Sequence, residues 1–357
     1  MGLKLLHSAD WHLDSPFSGL TEKARQQLRR AQLTIPDKIA EVCLRERCDL
    51  VLLAGDLFDG TPSRETVEAV KDALARCTVP VFIAPGNHDF CGPGSPWLEE
   101  QWPENVHVFT GGLESVVIES LNCRVWGSGF RSMDCPGMLE NFRAEGSESY
   151  AVAVLHGDPG QTNSPYNPIT AAQVRDSGLD YLALGHIHKA GSFRAGSTLC
   201  GWPGCPMGRG WDETGEKGVY VVTLEPDATK IQGISLDHSR FWEHTVDISG
   251  DARTALEAVL PPVKSDDFYR ITMKGQGYAD IPALLRAFSH VPNLELLDKT
   301  EGPLDIWGSE REDTLEGVYF GLLKQKLEAA PLEEAGRIRL AAEISRRLLE
   351  GREVTLP

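Results

Sequence analysis

Five short motifs rich in aspartate, histidine and asparagine lie between residues 10 and 188. They are Asp10-x-His12, Gly55-Asp56, Gly86-Asn87-His88-Asp89, His156-Gly157-Asp158 and Gly185-His186-Ile187-His188. Imidazole mixed with carboxylate and amide oxygen suits manganese, iron or zinc better than calcium. His186 and His188 can serve two neighbouring ions, and Asp56 can bridge them. Such a pair acidifies a shared water and holds the attacking and leaving oxygens of a displacement at phosphorus.

Apolar runs typical of buried strands precede these motifs. They are Leu3–Leu6, Leu50–Ala54, Val79–Ala84, Tyr150–Leu155 and Tyr181–Leu184, and short runs bounded by turn residues are typical of core strands. Because the loops that follow the strands of an open α/β sheet meet at one edge, we expect the motifs to lie together in space. Each motif alone is better explained by a buried polar residue or a helix N-cap. Their joint occurrence in this order predicts a dinuclear metal site.

The ordered set resembles the pattern DxH, GD, GNH[DE], H and GHxH of the calcineurin-like metallophosphoesterases. Three longer strings, Ser8–Asp14, Ala54–Asp59 and Pro85–Asp89, are similar to the SbcD and YhaO-like DNA repair exonucleases of that superfamily. The stretch from Pro203 to Gly218 also resembles the end of their catalytic domain. The resemblance implies an α/β (α+β) fold, a two-sheet sandwich flanked by helices, with a small α/β capping domain and C-terminal helices.

The resemblance also implies a role for each site residue. One ion would be held by Asp10, His12, Asp56 and His188, and the other by Asp56, Asn87, His156 and His186. His88 would stabilise or protonate the leaving group, and Asp89 would orient His88. Asp59 stands where some relatives carry a second active-site histidine, although SbcD-like members carry Asp there. For Asp14 we expect a hydrogen bond within its loop. The expected cofactors are two divalent ions, with Mn²⁺ as the expected metal.

The length of the chain predicts two or three domains, and its charge bears on the substrate. We place a metallophosphoesterase (nuclease) domain at 1–240, a capping domain at 241–300 and a helical segment at 301–357 in the 357 residues. The formal net charge of −17 opposes non-specific DNA binding, which depends on neutralising phosphates. Bound cations would offset part of this acidity, and a partner subunit could supply a cationic groove.

Helix and strand patterns place these segments along the chain. A helical run is predicted over Glu22–Arg47, interrupted near Pro36, and another over Ser63–Arg76 with Ser63 as its N-cap. After residue 240 the pattern predicts β-α-β-α-β, with the elements Trp242–Ile248, Ala252–Leu260, Asp267–Met273, Ile281–His290 and Leu294–Leu297. This unit resembles the capping domain that lies over the site in the exonucleases and helps to choose DNA geometry. The alternative is a small α/β appendage with another role.

Two helical runs are predicted in the tail, Thr314–Leu327 and Glu333–Leu349. The first carries an apolar stripe at i, i+3, i+4 and i+7, formed by Leu315, Val318, Tyr319, Leu322, Leu323 and Leu327. Such helices usually pack on their own domain. In the resembled family, a C-terminal helical segment instead docks on the coiled-coil base of an SMC-like, SbcC-type ATPase. Both alternatives stay open.

Cysteine usage and hydropathy indicate the compartment. Eight cysteines include no CxxC pair, which favours reduced thiols in a cytoplasmic protein. The chain has no apolar run of about 18 residues that would span a membrane. Its first residues enter a strand directly, without the layout of a signal peptide. We therefore expect a cytoplasmic protein that does not associate with membranes.

Three functions are compatible with the sequence. The first is a manganese-dependent nuclease, an exonuclease-type phosphodiesterase that acts on DNA ends in double-strand-break repair together with the SMC-like ATPase. A homodimer is a further candidate assembly. The second is a phosphodiesterase or phosphatase on small molecules or nucleotides, which the acidity favours. The third is a non-catalytic scaffold with a structural metal site. The complete ligand set together with His88 argues against the third, because an idle site need not keep a proton donor.

Overall fold

The structure is a computed structural model that describes residues 2–226, 228–302, 305–308, 314–351 and 354, with the backbone alone at 332 and 333. The chain divides into two units, Met1–Trp242 and Glu243–Pro357. The predicted segment 301–357 therefore lies only in part within the described residues. Of the helices in the described part of the chain, none combines the length and apolar character that crossing a membrane requires.

Two six-stranded sheets form the first unit. Its strands are β1 (Leu3–Ser8), β2 (Leu50–Leu53), β3 (Val81–Ile83), β4 (Val106–Val108), β5 (Glu114–Ile118), β6 (Cys123–Ser128), β7 (Tyr150–His156), β8 (Asp158–Pro159), β9 (Pro168–Ile169), β10 (Tyr181–Gly185), β11 (Gly191–Ala195), β12 (Thr198–Trp202), β13 (Gly218–Glu225) and β14 (Ala228–Ser235). The first sheet has the order β14-β13-β1-β2-β3-β4, and the second has the order β11-β12-β10-β7-β6-β5. Strands β8 and β9 pair in a separate two-stranded sheet. Strands β1 to β4 run parallel, as do β12, β10, β7 and β6.

The two sheets share one apolar core. Leu5, Leu52 and Phe82 contribute to it from the first sheet, and Val154 and Ala183 contribute from the second. These side chains are almost wholly removed from water, and burial of this kind is the main favourable contribution to folding. The predicted α/β two-sheet sandwich is confirmed.

Helices accompany the sheets in the first unit. They are α1 (Glu22–Gln32), α2 (Ile35–Glu46), α3 (Arg64–Ala75), α4 (Pro96–Glu99) and α5 (Ala171–Asp176). The predicted interruption near Pro36 is present, but it falls before the proline, which stands in the first turn of α2, where its missing N–H is no loss. Ser63 caps α3 as predicted and accepts from the Thr66 N–H. Asp14 accepts from the Ser63 N–H and the Thr66 hydroxyl. Its hydrogen bonds therefore reach the start of α3, and the expectation of a bond within its own loop is wrong.

The second unit contains a small sheet and a pair of helices. The elements are β15 (Phe241–Asp247), whose first two residues belong to the first unit, α6 (Ala252–Glu257), β16 (Phe268–Lys274), α7 (Ile281–Ala287), β17 (Asn293–Asp298), α8 (Leu315–Ala329) and α9 (Leu332–Leu349). The sheet order is β15-β16-β17, and β16 and β17 are parallel. Helices α8 and α9 pack together: the Tyr319 and Ser345 hydroxyls lie 2.7 Å apart, and the Arg346 guanidinium lies 4.0 Å from the centre of the Phe320 ring.

Candidate metal centre

The predicted ligands meet where strands of both sheets end. From the first sheet, Asp10 and His12 follow β1, Asp56 follows β2, and Asn87 and His88 follow β3. From the second sheet, His156 ends β7, and His186 and His188 follow β10. The site is therefore assembled from both halves of the sandwich.

The ligand atoms form three overlapping clusters, in each of which they lie within 4.8 Å of one another. The clusters are Asp10, His12 and His188; His12, Asp56 and His88; and Asp56, His156 and His186. The Asp56 Oδ2 lies 3.7 Å from His12 Nε2 and 3.4 Å from His156 Nε2. The Asn87 Oδ1 lies 3.0 Å from His156 Nε2. The structure thus brings all the predicted ligands together, with Asp56 between the two groups.

The polar atoms at this centre suit divalent cations. The buried Oδ2 of Asp10 has no hydrogen-bond partner among the described residues. The Nε2 atoms of His12 and His188 lie 3.1 Å apart, close enough for both to bind one cation. Buried polar atoms are costly without partners. Cations bound by this mixed set of imidazoles and carboxylates would satisfy these atoms.

The backbone around the site is strained. Asp10, His12, Asp56 and His186 have φ values of 56°, 46°, 52° and 95°, a region that side-chain-bearing residues rarely adopt. Such strain clusters at functional sites, where surrounding contacts enforce it. Here the His186 N–H donates to Asp10 Oδ1 at 2.9 Å, which ties the two sheets together. Gly86 is required for a related reason, because a Cβ there would overlap the Asp56 carboxylate.

His88 stands at the open side of the centre and is held by Asp59. The His88 side chain is 42% exposed, and its Nδ1 lies 2.9 Å from Asp59 Oδ1. This hydrogen bond raises the pKa of His88. His12, whose Nδ1 lies 3.6 Å from Asp59 Oδ1, and the hydrogen bond with His88 keep the pKa of the Asp59 carboxyl well below its usual range. The pair therefore favours a charged imidazole beside a charged carboxylate.

The role expected for Asp89 is wrong. Its carboxylate does not contact the His88 ring but accepts backbone N–H groups of Gly86, Asp56, Leu57 and Phe58. The physical reason is the turn after His88, which buries the Asp89 side chain beneath the loops. Asp89 thus fastens the Asp56 loop to the Asn87 loop, and Asp59 takes the place of Asp89 as the partner of His88.

Burial and charge together set the protonation of the remaining groups. Burial disfavours the charged form of His156, but Asp56 and Asp10 outweigh this effect and raise its pKa to about 9. Burial lowers the pKa of His186 to about 4 and raises the pKa of Asp10. Because imidazole binds metal in its neutral form, a cation at His156 would displace the proton.

Two residues that were not predicted from the sequence hold His188. The Glu213 Oε1 lies 2.7 Å from His188 Nδ1, and the Arg209 guanidinium lies 2.6 Å from the same oxygen. Burial disfavours the Glu213 carboxylate, but His188 and Arg209 outweigh that effect and lower its pKa. A carboxylate on Nδ1 fixes the ring and directs Nε2 to a metal. Glu213 lies in the stretch that resembled the end of the catalytic domain, but its spacing from His188 gave no sign of contact.

Comparison with solved structures gives matches of low sequence identity. A dimetal phosphatase from Danio rerio has 15% sequence identity and a TM-score of 0.44, and the match covers 66% of this chain and 99% of that one. The protein TT1561 of Thermus thermophilus has 11% identity and a TM-score of 0.41, and the match covers 65% of this chain and 99% of that one.

Comparison of sequences identifies the family. The sequence model of the family described as calcineurin-like phosphoesterase matches residues 3–190. The relative named "Uncharacterized metallophosphoesterase YhaO", from Bacillus subtilis (strain 168), is 30% identical over 291 residues, which cover 76% of this chain and 69% of the relative. The family match spans more than half of the chain, and the relative aligns over more than two thirds of both proteins. The chain therefore belongs to the calcineurin-like phosphoesterases, a family of metal-dependent phosphoester hydrolases.

Proposed function

We propose that the protein is a manganese-dependent nuclease that hydrolyses phosphodiester bonds at DNA ends during double-strand-break repair, as SbcD-like exonucleases do. The observation that carries the proposal is a complete two-ion ligand set with His88 held beside it by Asp59. When bound, two divalent ions supply an acidified water and neutralise charge on the phosphate.

The protein's own groups handle the leaving oxygen. A carboxylate only accepts hydrogen bonds, so the Nδ1 of His88 donates to Asp59. The raised pKa of His88 favours a proton on Nε2 as well. A half-exposed imidazolium held at the rim of the centre can give that proton to the departing alkoxide. Asp59 keeps the ring oriented and compensates its charge.

Clefts beside the centre support a diester substrate. One, of about 250 Å³, is lined by His88 and Phe90 among others. Another, of about 570 Å³, is lined by Asp59, Arg209 and Trp211 among others. A phosphodiester has two organic substituents, and the two clefts, one lined by His88 and the other by Asp59, can receive both. A monoester would use one cleft and leave the other without a role.

A cleavage assay on end-labelled linear DNA tests the proposal. Metal-stripped protein reloaded with Mn²⁺ should shorten labelled DNA, and the His88→Ala variant at equal metal content should be far slower. Single- and double-stranded substrates, each with either end labelled, give polarity and strand preference in the same experiment. Wild-type protein that hydrolyses a chromogenic diester but leaves every DNA substrate intact would contradict the nuclease assignment.

A second candidate is a phosphodiesterase for nucleotides or other small molecules. The net charge of −17 favours it, because an acidic chain repels a polyanion. Under this alternative, cyclic or linear dinucleotides should be cleaved at salt concentrations at which DNA is not. The nuclease proposal instead requires DNA to be cleaved faster than such fragments under the same conditions.

We also propose that the helical pair α8–α9 binds an SMC-like, SbcC-type ATPase. The predicted apolar stripe supports this, because Leu315, Val318 and Leu322 are 89%, 50% and 55% exposed. Exposed apolar surface of this kind is typical of protein interaction sites. Leu322→Lys should abolish association with the ATPase, whereas Val263→Lys, at a 68% exposed position outside the stripe, should not. If Leu322→Lys associates with the ATPase as wild-type protein does in pull-down experiments, the proposal that the stripe binds the ATPase is wrong.

A further inference from the structure

The ligand set depends on the spacing between the two sheets. Asp10 and His12 follow β1 in the first sheet, whereas His186 and His188 follow β10 in the second. The cluster of Asp10, His12 and His188 therefore draws on both sheets. Sandwich cores are mostly apolar, and apolar contacts have no preferred direction. A directional connection between β1 and β10 would fix the ligand spacing more closely than apolar packing.

His7 makes such a connection. It is wholly buried and lies in β1, shortly before Asp10 along the chain. Its Nε2 lies 3.0 Å from the Leu184 carbonyl oxygen, and its Nδ1 lies 2.8 Å from the Tyr181 hydroxyl. Because a carbonyl only accepts, Nε2 carries the proton and Nδ1 accepts from Tyr181. Burial lowers the pKa of His7 to about 3, so the ring is neutral and both bonds have a defined direction.

A second hydrogen bond lies on the far side of the same ligand loop. Tyr220 is paired with His7 in the register of β1 and β13. Its hydroxyl donates to the Gly191 carbonyl oxygen at 3.4 Å. Leu184 precedes the loop that holds His186 and His188, and Gly191 follows it. The first sheet is thus bonded to the second on both sides of that loop.

We propose that His7, Tyr181 and Tyr220 form a polar clasp between the sheets that sets the spacing of the ligand loops and so the affinity and geometry of the two-ion centre. The proposal rests on the two-ion site of the proposed function. His7 is a positioning residue, since it acts through the loops that carry the ligands. A purely structural role is the competing explanation, because an apolar side chain of similar size could fill the same volume. Burial of a polar group is unfavourable unless its hydrogen bonds are made. Both ring nitrogens of His7 make theirs.

Substitutions in the full-length chain separate the two roles. His7→Phe removes both hydrogen bonds of the ring, and Tyr181→Phe removes one without altering β1. His7→Gln keeps one donor and one acceptor and should restore part of any loss. Thr198→Val is the matched control: Thr198 is wholly buried and its hydroxyl donates to the Leu179 carbonyl oxygen at 2.6 Å. That bond lies at the opposite end of the second sheet from the ligands.

Two readouts on metal-stripped protein decide the question. Calorimetric titration with Mn²⁺ should show affinity at least about tenfold weaker in His7→Phe and measurably weaker in Tyr181→Phe, as for other residues that support metal ligands indirectly. Electron paramagnetic resonance of the Mn²⁺ pair should show altered magnetic coupling in both variants. Thr198→Val should lose thermal stability and keep the wild-type affinity and spectrum.

The proposed clasp is wrong if His7→Phe and Tyr181→Phe match Thr198→Val both in Mn²⁺ affinity and in the magnetic coupling of the two ions. If His7→Phe fails to fold, Tyr181→Phe decides alone, because it removes a single hydroxyl. Wild-type protein that binds no manganese pair would overturn the proposed function itself, and the clasp with it. A wild-type pair with unaltered variants overturns the clasp alone.

Discussion

Asp89→Asn should loosen two of the ligand loops of the first sheet, the one that carries Asp56 and the one that carries Asn87. One carboxylate oxygen accepts from the N–H groups of Gly86 at 2.7 Å and Asp56 at 3.2 Å. The other accepts from Leu57 at 2.8 Å and Phe58 at 3.3 Å. An asparagine supplies one acceptor oxygen, so its amide nitrogen would face two backbone donors. Two buried hydrogen bonds are then lost whichever way the amide is turned.

The hydrogen bonds give the size of the effect. A bond to a charged acceptor contributes roughly 1.5–3 kcal/mol, and each oxygen makes one short and one long bond. Their loss should lower the free energy of unfolding by at most about 3–4 kcal/mol, or the melting temperature by at most about 10 °C for a unit of this size, because a neutral side chain also removes the repulsion between Asp89 and Asp56. Because Asp56 and Asn87 lie on these loops, Mn²⁺ affinity should also fall about 10–100-fold.

Thermal melting without metal, followed by Mn²⁺ calorimetry, tests this prediction. Burial, reinforced by the charge of Asp56, raises the pKa of Asp89 to about 7. Both measurements therefore belong at about pH 8.5, where the carboxylate is charged. Asp180→Asn is the matched control, because Asp180 accepts a single backbone N–H, from Ala151 at 2.8 Å, away from the ligands. If Asp89→Asn melts and binds Mn²⁺ like this control but loses activity, Asp89 acts on His88 and our assignment is refuted.

Three further predictions concern single side chains. His88→Ala should keep two Mn²⁺ per chain and lower the rate of diester hydrolysis about 10²–10⁴-fold, as metal analysis and kinetics on one preparation will show. Asp59→Asn replaces the charged acceptor of the hydrogen bond that raises the pKa of His88 with a neutral one, so the basic limb of the pH–rate profile should move to lower pH. The pKa of His7 is lowered from 6.5 to about 3 in the fold, so its contribution is complete above pH 6.5 and decreases as the pH falls. In urea unfolding, the free energy of unfolding of the wild-type protein should fall by about 5 kcal/mol between pH 6.5 and about pH 3, because His7 takes up a proton more readily in the unfolded chain. This decrease should be absent in His7→Phe.

The ligands could be predicted from the sequence because their positions follow from the ends of the strands. Parallel core strands such as β2 and β10 are short apolar runs. The end of each strand determines where the next residue lies. Asp56 and His186 therefore lie where the pattern predicts. The expected strand Val79–Ala84 is shorter, Val81–Ile83, but this shortening does not move the loop that follows.

The partners of the ligands could not be predicted in the same way. Whether Asp59 or Asp89 contacts His88 depends on the direction of a side chain within a turn, which spacing along the chain does not encode. Glu213 is 25 residues from His188 in the printed sequence and reaches it only through the tertiary fold. His7 lies within an apolar run, and only the pairing of the sheets reveals its bond to Leu184.

The two-ion hydrolytic site is tested most directly by counting bound metal ions and measuring hydrolysis in the same samples. Wild-type protein, stripped and reloaded, should bind two Mn²⁺ per chain and hydrolyse a chromogenic phosphodiester. Asp56→Asn should lose hydrolysis and at least one ion, because the Asp56 carboxylate lies between the two ligand groups, 3.7 Å from His12 Nε2 and 3.4 Å from His156 Nε2. Two tightly bound ions and undiminished hydrolysis in Asp56→Asn would contradict the bridging role, and wild-type protein that binds two ions without cleaving any diester would contradict the catalytic assignment.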